Sequence, residues 1–528
     1  MVAVTQQSDV RRDPRRWWAL GALVASLLVL GFDLTILNVA LPTMAAQLGA
    51  STGEQQWMAD AYVIVFAALM LPAGLLGDRF GRRRVLLVGL GVFLLGSVFG
   101  ALADDVALVV AARAVMGVGG ALVMPLALAV LPSLFAPDER TKAVGALSAA
   151  SALGLPLGPI VGGWLLDHFW WGSVFVVNIP MVAIGVAACV FLLPETRDPS
   201  APRVDVVSTA LTAAGLGSLI YAVIEAPHRG WGDPLILGLF AGAVVLMAGL
   251  VLRERRSERP MLDLSLLGRR GFLLNTLTAT LVMFVLSGLM FVLPQYLQAV
   301  LGNDAFGTGV RMLPMMGGLL VSARGAAVLV PRFGARAVIS AGLVVIAFAA
   351  LLGSRTEVGS GYGFTALWLA LAGLGFGLSV VPAMDSALGH LPAERAGSGS
   401  GLLMTVRQVG TALGIALLGS LLASAYAGRV DTGGLPAGAA DTARDSVVAA
   451  HLVAERIGDA SLTASADAAY VHGMGLVLVV SGIAALVTAL LAAALLPSAE
   501  PEADADAGSD TESDTGRDLA APPSDVRQ

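Results

Sequence analysis

Long apolar runs follow one another from residue 17 to residue 496, separated by short polar segments. About 20 apolar residues cross the hydrocarbon of a bilayer as one helix. Lipid admits only helices or closed barrels, because every backbone group must find its partner inside the protein. Fourteen runs qualify, near 17–41, 55–76, 85–103, 106–131, 142–166, 174–194, 205–225, 234–252, 272–297, 308–330, 336–353, 362–384, 398–424 and 471–496. The expected fold is an all-α polytopic membrane protein with 14 transmembrane helices. Charged residues make up only 13% of the chain, about half the share in a soluble domain.

Charge placement predicts the orientation. Arg79, Arg82, Arg83, Arg84, Arg140, Lys142, Arg197, Arg203, the cluster Arg253 to Arg270, Arg332, Arg336 and Arg395 all fall on one side, while the other side holds little beyond Arg229 and Arg355. Basic loops stay cytoplasmic, so both termini are expected there. Residues 1–16 form the N-terminal segment. Arg11 to Trp18 imitate the start of a signal peptide, but the apolar run that follows is too long and carries Asp33 and Asn38. The Asp- and Glu-rich stretch 497–528 is expected to be a disordered cytoplasmic tail. Residues 425–470 form an extracytoplasmic loop, in which 445–457 has an amphipathic pattern; a variable surface loop is the expectation.

Several functional classes drop out. Cys189 is the only cysteine, which excludes an intrachain disulfide, and the five histidines show no metal-ligand spacing. Phosphate-loop, nucleophile-elbow and zinc-protease patterns are absent. We expect no enzyme, no metal, no cofactor and no nucleic acid partner.

The polar residues inside the spans are the candidates for function, since a charge in hydrocarbon is costly and faces a cavity or a partner. The first span contains Asp33 and Asn38. The second contains Trp57, Asp60 and Tyr62; Asp60 either meets interfacial water at the span's end or is a second protonatable group, and the two rings could offer faces to a cation. Arg113 in the fourth span cannot lose its charge and needs an acid or carbonyls. Gly154, Gly158 and Gly162, with Gly163, permit close helix approach in the fifth span, which Pro156 and Pro159 bend. Gln295 and Gln298 are candidate hydrogen-bonding groups of a ligand cavity, whereas Gln408, beside Arg407, is expected to link helices. Asp385 is expected to be solvated and Arg324 to snorkel. Between the second and third spans lies Gly77-Asp78-Arg79-Phe80-Gly81-Arg82-Arg83-Arg84, a tight loop whose Asp78 can pair with an arginine. Leu75–Arg83 (LLGDRFGRR) has a weak echo in Val328–Arg336 (VLVPRFGAR), with Pro331 in the place of Asp78. Such an echo suggests duplicated bundles around a central cavity.

These motifs resemble the major facilitator superfamily. G-D-R-x-G-R-R resembles its cytoplasmic signature loop. D-x-T-x-x-N-x-A-L-P from Asp33 resembles the first helix of the fourteen-span drug:proton antiporters. Arg113-x-x-x-Gly-x-Gly-x-Ala resembles the fourth-span motif associated with proton transfer, and Gly158-Pro159-x-x-Gly162-Gly163 resembles the fifth-span motif of exporters. Trp171 to Pro180 matches a W-x-x-x-F-x-x-N-x-P stretch. The resemblance implies a major facilitator fold: a six-helix bundle over 17–200, two inserted helices over 201–260 and a second six-helix bundle over 261–496. It implies a plasma-membrane antiporter, expected to be a monomer, that exports drugs, antibiotics or other lipophilic or cationic compounds by alternating access, with the proton gradient as its energy source. Proton coupling falls to Asp33, Arg113 and Asp60. The cytoplasmic latch falls to Gly77, Asp78, Arg79, Gly81, Arg82 and Arg83. The candidate substrate cavity comprises Asn38, Trp57, Tyr62, Gln295 and Gln298, with cavity methionines adding adaptable surface. The alternatives are a dedicated exporter of one endogenous metabolite or self-made antibiotic and, further off, a non-transporting membrane sensor.

Overall fold

The computed structural model describes residues 15–135, 137–197, 205–257, 263–389, 391 and 396–496. The expected acidic tail and the loop arginines Arg203, Arg259 and Arg395 lie outside the described residues. Those residues form helices and connecting turns, with no strand among them. Fourteen long helices carry the architecture. They are α1 Arg15–Leu48, α2 Thr52–Phe80, α3 Arg82–Ala101, α4 Val106–Ala129, α5 Pro137–His168, α6 Asn178–Leu192, α7 Val206–Arg229, α8 Pro234–Arg256, α9 Arg270–Gln295, α10 Leu313–Phe333, α11 Ala335–Gly353, α12 Tyr362–Gly389, α13 Ala396–Ala427 and α14 Ala460–Leu495. Among the described residues, thirteen segments are long and apolar enough to cross a membrane. The remaining long helix, α5, has 32 residues, about 48 Å at 1.5 Å per residue. It runs parallel to α1 from the Arg16–Glu139 ion pair to the contact of Gly162 with Ile36.

Several acids cap the helices. Ser51 and Glu54 form a capping box on α2. Asp105, Asp205, Asp233 and Asp459 accept backbone N–H groups at the starts of α4, α7, α8 and α14. A cap of this kind contributes about 1 kcal/mol and marks where a span begins. Asp205 also takes Arg253 of α8 at 2.9 Å. That hydrogen bond holds its carboxyl down at about 2 and ties the base of α7 to the end of α8.

Two sets of six helices pack by the same scheme. In the first, α1 lies on α5, and α4 lies on α2 and α3; in the second, α9 lies on α13, and α12 lies on α10 and α11. Small residues make each of these contacts close. A Cβ at Gly158 would collide with Thr35 and the α1 backbone, and one at Gly414 would collide with Ser287 and Phe284. Gly117 and Gly120 play this part against Tyr62, as Gly373 and Gly377 do against Met315 and Ser322. The pair α7–α8 packs on itself and leans on α2 and α13 at the seam between the sets.

The segment between α13 and α14 departs from expectation. It forms two helices, Ala437–Asp445 and Val447–Ile457. The second buries Val447, Val448, Ala450 and Val453 against α14 and α1, because its apolar stripe has a surface to cover. α14 itself begins at Ala460, eleven residues before the expected start. Buried Tyr426 donates to the carbonyls of Ala443 and Ser446, and burial raises the Asp445 carboxyl, with His228 opposing. The face bearing this segment is here called the loop face; the opposite one, bearing Gly77–Arg84, is the arginine face.

Candidate functional site: a central cavity with a buried ion pair

A cavity of about 320 Å³ lies between the two sets of helices, lined from α1, α2, α4, α9, α10, α12 and α13. Its wall is mostly Leu, Val, Ile, Phe and Met, including Met124, Met283 and Met290. Unbranched methionine can adapt to ligands of different shape.

The sequence placed Asp33 and Arg113 in different spans; the fold joins them. Arg113 Nη1 lies 2.5 Å from Asp33 Oδ2, and both residues are almost fully buried. The other Asp33 oxygen accepts from Asn178 Nδ2 at 3.2 Å, and that amide is also 3.4 Å from Ser97 Oγ. Arg113 Nε donates to the Met58 carbonyl at 3.2 Å, and its guanidinium sits 4.5 Å from the Tyr62 ring centroid. Tyr62 and Arg113 border the cavity while Asp33 stands behind them. Breaking such a pair from one side leaves an uncompensated buried charge and costs about 3–5 kcal/mol. Asn178 was legible only as part of a family pattern. Its role becomes visible when α6 is laid against α1.

Other candidates land differently. Asp60 is fully buried and neither carboxylate oxygen has a partner. The interfacial-water expectation is therefore corrected: neighbouring helices cover this end of α2. Asn38 lines the cavity and donates to the Leu34 carbonyl at 3.0 Å. Trp57 is outside it, packed against Tyr221 of α7 at 5.7 Å. Trp57 therefore offers no face to the cavity, and Arg113 already takes one face of Tyr62. Gln295 donates within its own helix to Phe291. Gln298 donates to the Val39 carbonyl at 2.8 Å and joins the two sets; neither glutamine lines the cavity. Gln408, expected to link helices, does line it, as does Arg407 one residue earlier. Helix periodicity alone could not say which side of α13 faced inward. Asp385 and Arg324 are exposed, as expected.

The loop face is sealed by contacts between the two sets. Gln56 donates to the carbonyls of Ile415 and Ala416. Asp167 accepts from the backbone of Ala305 and Phe306 at 3.1 and 3.0 Å. Here the fifth-span motif has a place: Gly154, Gly158 and Gly162 meet α1, Gly163 meets Ala305 and Phe306, and the Pro159 carbonyl meets Gly309.

At the arginine face, Asp78 and Arg82 pair at 2.8 Å, and Arg82 also donates to the Ala129 carbonyl at the end of α4 at 2.6 Å. Arg83 donates to the Val190 carbonyl at 2.5 Å, and Arg84 lies 3.5 Å from Glu195. Gly81 turns with φ +108, and a Cβ there would press on the Glu195 carboxylate. Gly77 packs under Leu126. Arg79 lies over the Phe80 ring at 5.7 Å and makes none of these ties. The loop thus binds α2 and α3 to the ends of α4 and α6, all within the first set.

Comparisons with known proteins agree with this architecture. The family model described as Major Facilitator Superfamily matches residues 23–415. The tetracenomycin C resistance and export protein of Streptomyces glaucescens is 34% identical over 92% of each chain. The multidrug efflux pump LfrA of Mycolicibacterium smegmatis is 34% identical over 91% of this chain and 96% of its own. The puromycin resistance protein pur8 of Streptomyces alboniger is 36% identical over 81% and 86%. A solved bacterial homologue of the human lysosomal transporter Spinster, inward-facing and unoccupied, shares the fold with a TM-score of 0.67 at 18% identity, covering 92% of this chain and 98% of its own. A duplicated six-helix scheme with an inserted pair, a cavity between the sets and a model match over most of the chain lead to one conclusion: this multi-pass membrane protein is a transporter belonging to the Major Facilitator Superfamily.

Proposed function

We propose that the chain is a proton-coupled antiporter that exports drugs, antibiotics or other lipophilic compounds across the plasma membrane, with both termini cytoplasmic, as a monomer. One observation supports this reading above the rest: a buried carboxylate, Asp33, is held by Arg113 and Asn178 directly behind the wall of an apolar central cavity. A proton arriving on Asp33 removes the charge that holds Arg113. The guanidinium, still held by Met58 and Tyr62, then has N–H donors free for the cavity, and substrate affinity changes with it. Proton and substrate thus alternate through one arginine, and the two helix sets rock between the loop-face-sealed state and its opposite. The energy source is the proton gradient; no nucleotide or other cofactor is required. Asp60, buried without a partner, is a second place for a proton, since an unpaired carboxylate ion in that position is costly.

Efflux of a neutral lipophilic dye from proteoliposomes under an imposed proton gradient tests the reading. Wild-type protein should expel the dye and Asp33→Asn should not. Efflux that persists in the variant moves the proton to Asp60. Loss of gradient dependence in wild type would overturn the antiport reading. A dedicated exporter of a single antibiotic is the second reading, favoured by relatives named for tetracenomycin C and puromycin; wild-type protein that ignores the dye but expels one such compound would support it.

A further inference from the structure

Among the described residues, only two charged side chains line the cavity, Arg113 and Arg407. Arg113 is neutralised by Asp33. Arg407 is not neutralised: among the described residues it makes no ion pair. Its Nη1 touches only Met384 Sδ, at 3.3 Å, a weak acceptor. Its Nε is buried without any acceptor. Asp385, the carboxylate nearest to Met384 in sequence, is exposed and pairs with nothing among the described residues. The wall of the cavity therefore carries one uncompensated positive charge on the side of the second helix set, facing the neutralised pair on the first.

We infer that Arg407 makes this cavity selective for lipophilic organic acids, compounds with an apolar or aromatic body and one carboxylate or phenolate, over their neutral and cationic counterparts. The inference rests on the export reading and narrows its substrate class. A guanidinium presents N–H donors in a planar fork that a carboxylate fills with two parallel hydrogen bonds. In an apolar cavity those bonds are strong and the unpaired state is costly, so an anion supplies what the protein omits. Gln408, next along α13, offers a neutral hydrogen bond beside it. Met283, Met290, Leu319 and Val380 give the hydrocarbon body an apolar bed. A cation would instead meet two guanidinium groups and no free carboxylate.

The test measures binding of anthraquinone-2-carboxylate, its carboxamide and a trimethylammonium analogue to the full-length purified protein by calorimetry. Hydrogen bonds to a charged group predict about a 10- to 100-fold preference of wild type for the carboxylate over the carboxamide. Arg407→Gln should bind both within about three-fold while keeping its affinity for the carboxamide, which reports an intact cavity, and Arg407→Lys should restore only part of the preference, since it restores the charge without the fork. Equal binding of acid and amide by wild type, tighter binding of the cation, or a preference retained in Arg407→Gln would each overturn the inference. Gradient-driven efflux of the same probes separates the two readings. Efflux without acid preference refutes the acid selectivity and leaves export standing. Acid-selective binding without efflux of any probe refutes export and leaves the selectivity of the site.

Discussion

The two helix sets repeat one backbone plan and differ in charge. In the first, the cavity arginine is held: Asp33, Asn178 and the Met58 carbonyl cluster around Arg113, and Asp60 is a buried carboxyl apart from that cluster. In the second, Arg407 stands at the cavity wall with a thioether for company. The loops divide the same way. Gly81 and Gly334 both turn with positive φ, +108 and +79, after the second helix of their sets. Around Gly81, Asp78 and Glu195 gather three arginines. Around Gly334 the acid is replaced by Pro331, and Arg336 donates to the Ala493 carbonyl at the end of α14. Duplication preserved the packing, which depends on small residues at helix crossings, and left the charges free to diverge. One half paired its cavity arginine with a carboxylate while the other left its own open.

The sharpest way to break this contrast is to truncate each arginine. Arg113→Ala strands the Asp33 carboxylate and should destabilise the detergent-solubilised protein by about 3–5 kcal/mol. Arg407→Ala strands no partner and removes a charge that the cavity leaves unpaired, so it should leave stability unchanged or raise it. Thermal unfolding of the two variants side by side would decide it, and equal losses would mean that Arg407 has a carboxylate partner after all.

The paired glycines come next. Alanine at Gly334 meets an unfavourable φ and open space, whereas alanine at Gly81 meets an unfavourable φ and the Glu195 carboxylate. Both should lose about 1–3 kcal/mol for a positive-φ backbone that glycine alone adopts readily. Gly81→Ala should lose more, and pairing it with Glu195→Ala should recover the excess. No recovery would show that Glu195 does not crowd the turn.

Transport probes the same loops. Asp78→Asn removes a half-exposed pair worth about 1 kcal/mol and should slow export about five-fold in a variant that still reaches the membrane. Pro331→Ala, at the corresponding position of the second set, should export normally. Unchanged export by Asp78→Asn would remove the latch.

The smallest effect belongs to the inserted pair, outside both sets. The folded Asp205 carboxyl lies at about 2, below its ordinary 3.8. A depressed carboxyl contributes stability above its unfolded value and loses it as pH falls through the folded one. Arg253→Gln should therefore melt slightly below wild type at pH 5 and converge with it as pH falls toward 2. A gap that stays constant with pH would show that the pair is not electrostatic.

Much was legible in the chain itself. Apolar length alone located the spans, because hydrocarbon thickness sets a single scale for every crossing. The acids that cap helices marked several of their starts, and the glycines of α5 announced a close crossing. Sequence also singled out Asp33 and Arg113, since a charge in lipid must have a reason. Their pairing was decided only when α4 packed on α2 and brought Arg113 beneath α1, eighty residues away in the chain. The same holds for Asn178, which enters the cluster through α6, and for Trp57, which left the cavity because α7 covers it. The side of α13 that carries Arg407 and Gln408 was likewise undetermined by periodicity, since a helix buried all round has no polar stripe to orient it. Hydropathy is a property of each segment and can be read one segment at a time. Which polar groups meet is a property of pairs of helices, and only the packed structure brings those pairs together.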